Sequence, residues 1–233
     1  MVSITLQNSA NFVRPMLKNQ PISVIGQEPG LFCANLVLQT VIAPPLKWPW
    51  NRRTFNFPTV IGSTDYPQII PDFGFIETQW LVDSTGKSHG LSGATTLGID
   101  VNQSRPTTLA AQYDDNMGTI TFRVKNTPDA IYTVWGDYQR KPALLTSPAS
   151  MWDVVPDNFG HVYNLGFLTF LSLLVNDSRF PVYERWFLAR ILALQDGLDD
   201  QARDIFLANW MQQTRTIQRS QNSVQQGTAG RGT

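Results

Sequence analysis

Hydrophobic residues follow one another almost without interruption between Leu31 and Ile42, in the stretch LFCANLVLQTVI. A helix that is apolar on nearly all its sides is buried inside a protein. Glu28-Pro29 provides a start for it, because proline is tolerated in the first turn of a helix, and Pro44-Pro45 ends it. The pattern therefore predicts a buried helix over residues 28–43, followed by a tryptophan-rich exit, LKWPWNRR, at residues 46–53.

From about residue 54 the hydrophobic residues fall into short segments separated by turn signals. Such segments, about ten residues apart, are typical of antiparallel sandwiches and small barrels. The clearest pair lies at 109–113 and 119–124, where the turn DDNMG predicts a hairpin. Further strands are predicted over residues 73–82, before the turn DSTGKS, and over residues 130–138.

Helical spacing returns in the last third of the chain. Pro156-Asp157 predicts the start of one helix, and Pro181 starts a second that ends before Gly197. A third begins near Asp199-Asp200, where acidic side chains favour the positive end of a helix. These helices are expected to bury an aromatic and aliphatic face made of Phe159, Tyr163, Phe167, Phe170, Leu174, Trp186, Ile205, Phe206 and Trp210.

These patterns together predict an α+β fold, in which a helical core carries an inserted antiparallel β-sandwich or small barrel domain. Residues 1–53 form the N-terminal helical part, and residues 54–140 form the inserted β domain. Residues 141–219 complete the helical part, and residues 220–233, rich in Gln, Ser, Gly and Thr, are expected to be a flexible tail.

Composition points to a chain that is covered by partners. Charged residues make up 15% of the 233 residues, against about 25% in ordinary globular domains, which favours an oligomer over a monomer. The formal net charge is zero, so the chain as a whole is not a polyanion binder. The single cysteine, Cys33, excludes an intrachain disulfide, and no signal-peptide or membrane-spanning pattern is present. We expect synthesis and folding in the cytoplasm.

Motifs that carry chemistry are scarce. The sequence contains two histidines, His89 and His161, and none of the patterns H-E-x-x-H, C-x-x-C or G-x-x-x-x-G-K-[ST]. Asp157 and His161 are four residues apart and share a helix face. We interpret them as a capping carboxylate beside an interface histidine, and His89 as a loop residue beside Gly90. The prediction is a chain that is not an enzyme and has no catalytic, cofactor or metal site.

Aromatic residues on the predicted strands leave one alternative open. They could stack on sugar rings, although aromatic residues on strands usually belong to the core. The residues concerned are Trp80, Tyr113, Tyr132, Trp135 and Tyr138. The alternative hypothesis is therefore a glycan-binding tail or decoration protein with a β-sandwich.

Two stretches carry a resemblance to a known family. The first is APPLKWPWNRRTFNF (residues 43–57), in which a buried helix ends in an aromatic, Asn-containing segment before a β domain. The second runs from Tyr138 to Trp210 and includes Tyr138-Gln139, Lys141-Pro142, Leu145-Thr146-Ser147, Trp152, Pro156-Asp157, Asp177-Ser178-Arg179, Gly197-Leu198 and Phe206-Leu207. In the order of its elements and in its residue pattern, the chain resembles a family of bacteriophage neck proteins. These are the head-to-tail adaptor, or tail tubular protein A-like, proteins.

The resemblance implies a structural virion protein that forms a ring, a homododecamer in the typical case. Such a ring docks on the portal protein, meets the tail nozzle or tube protein, and lets DNA pass non-specifically through its lumen. The resemblance also implies a C-terminal segment that reaches the portal, for which the candidates are Arg215, Arg219, Gln225 and Arg231. Candidates for the ring body and its interfaces are Trp48, Trp50, Trp186 and Trp210. The expected location is the neck of the virion, with no membrane involved.

Overall fold

The computed structural model describes residues 4–17, 30–98, 102–114, 119–152, 159–195 and 198–229, and for residues 113–114 and 220–229 it describes only the backbone. The chain divides into two compact units. A helical unit comprises Met1–Trp50 and Pro142–Thr233, and a sheet unit comprises Asn51–Lys141. The α+β fold class is confirmed.

Five helices make up the described part of the helical unit: α1 (Leu6–Val13), α2 (Gly30–Val41), α3 (Gly160–Leu174), α4 (Phe180–Ala193) and α5 (Asp200–Ala229). A 3-10 turn, Arg14–Leu17, extends α1 to the last described residue of that segment. Pro181 occupies the first turn of α4, as its sequence position predicts. The predicted starts at Glu28-Pro29 and Pro156-Asp157, and the end at Gly197, lie outside the described residues.

Helix α3 is the centre of the helical unit. Most of its side chains are buried, including Phe167 and Phe170. Gly166 lets two neighbours come close, because a Cβ atom at this position would lie 2.7 Å from atoms of both Val37 in α2 and Phe187 in α4. The three helices therefore meet where α3 has no side chain.

The ends of the chain segments are tied to this core by hydrogen bonds. Asn35 in α2 donates to the carbonyl of Leu145 (3.0 Å) and accepts from its amide (2.8 Å). The indole of Trp152 donates to the hydroxyl of Ser9 in α1 (2.8 Å) and stacks 4.8 Å from Tyr163. Both segments of the helical unit thus share one hydrophobic core.

Eight strands form the described part of the sheet unit: β1 (Arg52–Pro58), β2 (Asp65–Ile69), β3 (Phe73–Val82), β4 (Ser88–Gly90), β5 (Ser92–Ala94), β6 (Thr108–Asp114), β7 (Thr119–Lys125) and β8 (Thr133–Arg140). They make two four-stranded sheets with the orders β1-β8-β3-β4 and β2-β7-β6-β5. Every pairing is antiparallel except β5 with β6. The unit has the two sheets of a sandwich and is not a barrel. The predicted hairpin is β6–β7.

Aromatic rings fill the space between the two sheets. Phe122 on β7 lies 4.7 Å from Phe55 and 5.2 Å from Phe57, both on β1. The hydroxyl of Tyr138 on β8 donates to Asp72 at 2.9 Å. Burial, together with this carboxylate, raises the pKa of Tyr138 to about 12. Tyr138 is thus a core residue and not a platform for sugar.

Helix α5 differs from the prediction at its C-terminal end. A flexible tail is expected from residue 220, whereas the backbone is helical to Ala229. Once a helix is nucleated each further residue adds a hydrogen bond, and residues 220–226 contain neither proline nor glycine. The expected flexibility of this segment stays a prediction. Residues 230–233 lie outside the described part.

Candidate interaction surfaces

Trp48 lies in the core of the helical unit. It is 2% exposed, and its indole donates to the carbonyl of Val41 at 2.6 Å. Its ring lies 4.6 Å from Phe159 in an edge-on contact and 5.8 Å from the stacked ring of Trp50. Trp50 is half-buried in the same group. The two tryptophans close the end of the helical unit after α2, and their role in the body of a ring stays a prediction.

Trp210 is likewise buried, at 2% exposure. Its ring lies 5.2 Å from Phe170 and 5.4 Å from Phe187, and its indole donates to the Glu184 carboxylate at 2.6 Å. These contacts join α5 to α3 and α4. Trp210 therefore belongs to the core of the helical unit, on the buried face that the sequence predicts for the last helix, and a role in a ring body stays a prediction.

Trp186 is exposed, contrary to the prediction that it lies on a buried aromatic face. The inward face of α4 is taken by Tyr183, Phe187 and Ile191 at spacings of four residues. The opposite face carries Trp186, which is 54% exposed and touches Tyr183 with its ring.

The exposed face of α4 carries a line of apolar residues along its length. Val182, Trp186, Ala189 and Ala193 lie at i, i+4, i+7 and i+11, which places them on one side of a helix, and all four are exposed. We call these four residues the α4 ridge. Arg185 and Arg190 flank it, and both are exposed.

The first half of α5 has an exposed face of different character. Asp200, Asp204, Ala208 and Met211 lie at i, i+4, i+8 and i+11, and all four are exposed. We call these residues the α5 stripe. Ile205 beside it is 46% exposed. The prediction that Ile205 is buried is therefore wrong, because Phe206 and Trp210 direct the opposite side of the helix to the core.

The candidates for portal docking lie further along α5. Arg215 and Arg219 are both exposed, four residues apart and on one face of the helix. Between them Ile217 packs against the core, and Thr214 just before them is buried. The side chain of Gln225 and the whole of Arg231 lie outside the described residues.

The outer face of the sheet unit combines aromatic and polar side chains. Trp80 on β3 and Trp135 on β8 are direct cross-strand partners, and both are half-buried. Two residues along the same strands, Thr78 donates to Asp137 at 3.1 Å.

A carboxylate lies on this same sheet. Glu77 accepts two hydrogen bonds from the Arg52 guanidinium, at 3.0 and 2.5 Å, and one from Gln139 at 2.7 Å. A bidentate pair of this kind fixes the relative position of two strands. Sequence analysis missed this group, because its members lie far apart along the chain.

A groove of about 760 Å³ opens between this sheet and the second one. It is lined by the first part of β3, from Phe73 to Gln79, by β5, and by Leu109 and Ala111 of β6. Its walls combine apolar side chains with Glu77, Thr78 and Gln79.

The two histidines lie in hydrogen-bonded pairs. His89 is on β4 rather than in a loop, with its ring nitrogens 2.9 Å from the Asp83 carboxylate and 3.0 Å from the Arg105 guanidinium. Two side-chain hydrogen bonds hold the pKa of Asp83 below its ordinary value. The larger effect comes from the Thr85 hydroxyl and the next from His89. Asp83 also accepts from the backbone of Thr85 and Lys87, so the carboxylate organises the turn.

His161 on α3 accepts a 2.5 Å hydrogen bond from the guanidinium of Arg190 on α4. Asp157, with which it was paired in the sequence, lies outside the described residues. Among the residues the structure describes, no group of three His, Cys, Asp or Glu side chains could hold a metal ion. Across the same ranges, no helix combines the length and the apolar character needed to cross a bilayer.

Comparison with protein-family models finds none that matches the sequence, and a search of curated proteins finds no matching relative.

Proposed function

We propose that this chain is a structural virion protein of a bacteriophage neck, a head-to-tail adaptor whose copies form a ring between the portal and the tail. The ring surrounds the channel through which DNA passes, and the chain itself performs no catalysis. A ring of twelve copies, as in the adaptor proteins that the sequence resembles, is part of this proposal.

The observation that supports it is the order of the two units along the chain. The sheet unit, Asn51–Lys141, is inserted into the helical unit immediately after the tryptophan-rich exit of α2. This is the junction on which the sequence resemblance rests. The exposed apolar α4 ridge adds a surface suited to contact with another protein.

Helix α5 supplies the proposed portal contact. Its first half is anchored by Phe206, Trp210 and Thr214, whereas Arg215 and Arg219 point away from the core. Linked copies of a weak contact bind together far more tightly than one copy alone. A ring that presents this segment many times therefore needs only a modest contact per subunit.

The test is docking on purified portal rings, followed by sedimentation and electron microscopy. Full-length protein should add to the portal as a closed ring. A variant lacking residues 220–233, and an Arg215→Glu, Arg219→Glu variant, should stay folded and fail to dock. The truncation begins after Arg219, because removal from Gln212 would also delete the buried Thr214.

Lys125→Glu is the matched charge-reversal control, since Lys125 is an exposed cation on β7 of the sheet unit, outside both α4 and α5. It should dock like the wild type. Equal docking by full-length and truncated proteins would remove the role of the C-terminal segment. Absence of docking by the full-length protein would contradict the adaptor proposal itself.

A second candidate is glycan binding by the outer face of the sheet unit, favoured by the cross-strand pair Trp80 and Trp135. Two adjacent indoles beside hydrogen-bonding groups such as Thr78 and Asp137 suit a sugar, with an apolar ring face and polar edges. On a glycan array this candidate expects a signal that Trp135→Ala abolishes and Trp186→Ala leaves unchanged. An array on which the wild type binds nothing would eliminate it.

A further inference from the structure

The α4 ridge has the composition of a buried contact although it lies on the surface of the subunit. An exposed helix ordinarily presents polar residues to water, whereas this ridge contains none. Trp186 and Val182, at 54% and 47% exposure, are its large side chains. Tryptophan and arginine are enriched among the residues that dominate protein interfaces, and Arg185 and Arg190 flank the ridge.

The α5 stripe matches the α4 ridge in length and opposes it in charge. Each spans eleven residue steps (193 − 182 = 11 and 211 − 200 = 11), or about 16 Å at the rise of an α-helix. Arginines flank the ridge, while the stripe carries the carboxylates of Asp200 and Asp204. Alanines on both surfaces let two helix axes approach closely, and Met211 adds an adaptable apolar side chain.

We propose that the α4 ridge of one copy of this chain packs on the α5 stripe of the next copy. The partner is therefore a second copy, bound head to tail. A contact between two different surfaces of the same protein builds a ring where its rotation closes. The inference rests on the proposed function in that it names the contact through which the ring forms.

Charge decides between this arrangement and a symmetric one. Pairing two α4 ridges would bring Arg185 and Arg190 of one copy against the same arginines of the other, and like charges across an interface weaken it. Pairing two α5 stripes would oppose carboxylates in the same way. The mixed contact sets two arginines against the two carboxylates, whereas two paired stripes offer them only the exposed Arg203 of each copy.

Site-directed thiol cross-linking tests the contact in the full-length protein. Ala189→Cys and Ala208→Cys place single exposed thiols on the ridge and on the stripe. The native Cys33 is buried, and burial raises its pKa to about 12. It should therefore not react with a short bismaleimide. The two variants mixed together should give cross-linked dimers, and either variant alone should give few.

A chain that carries both cysteines distinguishes a ring from a two-fold dimer. Head-to-tail contacts should produce a ladder of trimers and larger species, whereas a two-fold exchange stops at the dimer. Arg185→Glu on the Ala189→Cys copy should lower the dimer yield about tenfold. Asp200→Lys with Asp204→Lys on the Ala208→Cys copy should recover part of that loss. The off-stripe control Thr216→Cys, mixed with Ala189→Cys, should give little product.

Three results would overturn the inference. Ala189→Cys alone could give dimers at the yield of the mixture, or the two-cysteine chain could stop at the dimer. The third is that no cross-linking occurs at the highest soluble concentration. Its failure is distinct from failure of the adaptor proposal. Cross-linking without docking on portal rings would keep this contact and remove the neck assignment. Docking as a ring without cross-linking would keep the neck and remove this contact.

Discussion

The tryptophans differ in what their indole groups contact. Trp48, Trp152 and Trp210 are buried, and each donates a hydrogen bond to a defined oxygen, on Val41, Ser9 and Glu184 respectively. Trp186 is exposed. Tryptophan is common both in cores and in interfaces, so residue type alone did not separate these positions. Of the four tryptophans that are candidates for the ring body and its interfaces, Trp186 is the exposed one, and its interface role stays a prediction.

This division predicts losses of stability of very different size for two substitutions to alanine. Phe167→Ala should lower the free energy of unfolding by about 3–5 kcal/mol, the range for removing a buried aromatic ring, because Phe167 is fully buried in α3. Trp186→Ala should lower it by less than about 1 kcal/mol, as expected at an exposed site. Urea titration of the dilute protein, followed by circular dichroism, measures both.

Dilution matters for this comparison, because self-association would add to apparent stability. A loss of several kcal/mol for Trp186→Ala at low concentration would show that Trp186 stabilises the single subunit. A small loss for Phe167→Ala would mean that α3 is less tightly packed than its burial indicates.

Among the elements, those with a regular hydrophobic period were predicted best. The Pro181 start of α4 and the β6–β7 hairpin follow directly from the sequence. The pattern did not predict which face of a helix is buried where two faces are both apolar. On α4 the outward ridge is apolar, as is the inward face of Tyr183, Phe187 and Ile191. A period identifies a helix, but it does not say which of two apolar faces meets the subunit's own core.

Strands β3 to β5 show a second limit. The register of β3 against β8 shifts twice, between Phe73 and Phe75 and between Ile76 and Thr78. An extra residue in one strand reverses the side-chain alternation beyond it. For this reason Glu77, Arg52 and Gln139 could not be brought together from spacing alone. The short β4 and the parallel β5 also lacked a local signal.

At the scale of the whole molecule, the chain enters and leaves the sheet unit at one place. Strands β1 and β8 are antiparallel neighbours, with Arg52 paired to Gln139. The side chain of Asn51, the residue before β1, donates to the carbonyl of Arg140, the last residue of β8, at 2.9 Å. An insertion whose ends are adjacent leaves the two flanking residues of its host close together.

Excision of the sheet unit should therefore leave a folded helical unit. When a short Gly/Ser linker replaces residues 51–141, closing so short a loop demands little entropy. The product should show a helical circular dichroism spectrum and cooperative unfolding. The matched control removes only residues 59–132. This deletion leaves β1 and β8 in place without the other strands, and the product should aggregate. An excised chain without cooperative unfolding would show that the helical unit depends on the sheet unit.

The same insertion sets the order in which the nascent chain can fold. Between the end of α2 at Val41 and the start of α3 at Gly160 lie 118 residues (160 − 41 − 1). At a synthesis rate of about 5–20 residues per second, α2 leaves the ribosome roughly 6–24 s before α3. All eight strands lie inside that interval, so the sheet unit has its complete sequence while α2 is still without its partner. The apolar surfaces of α1 and α2 both wait for α3 during this interval, and a chaperone that protects them would act then.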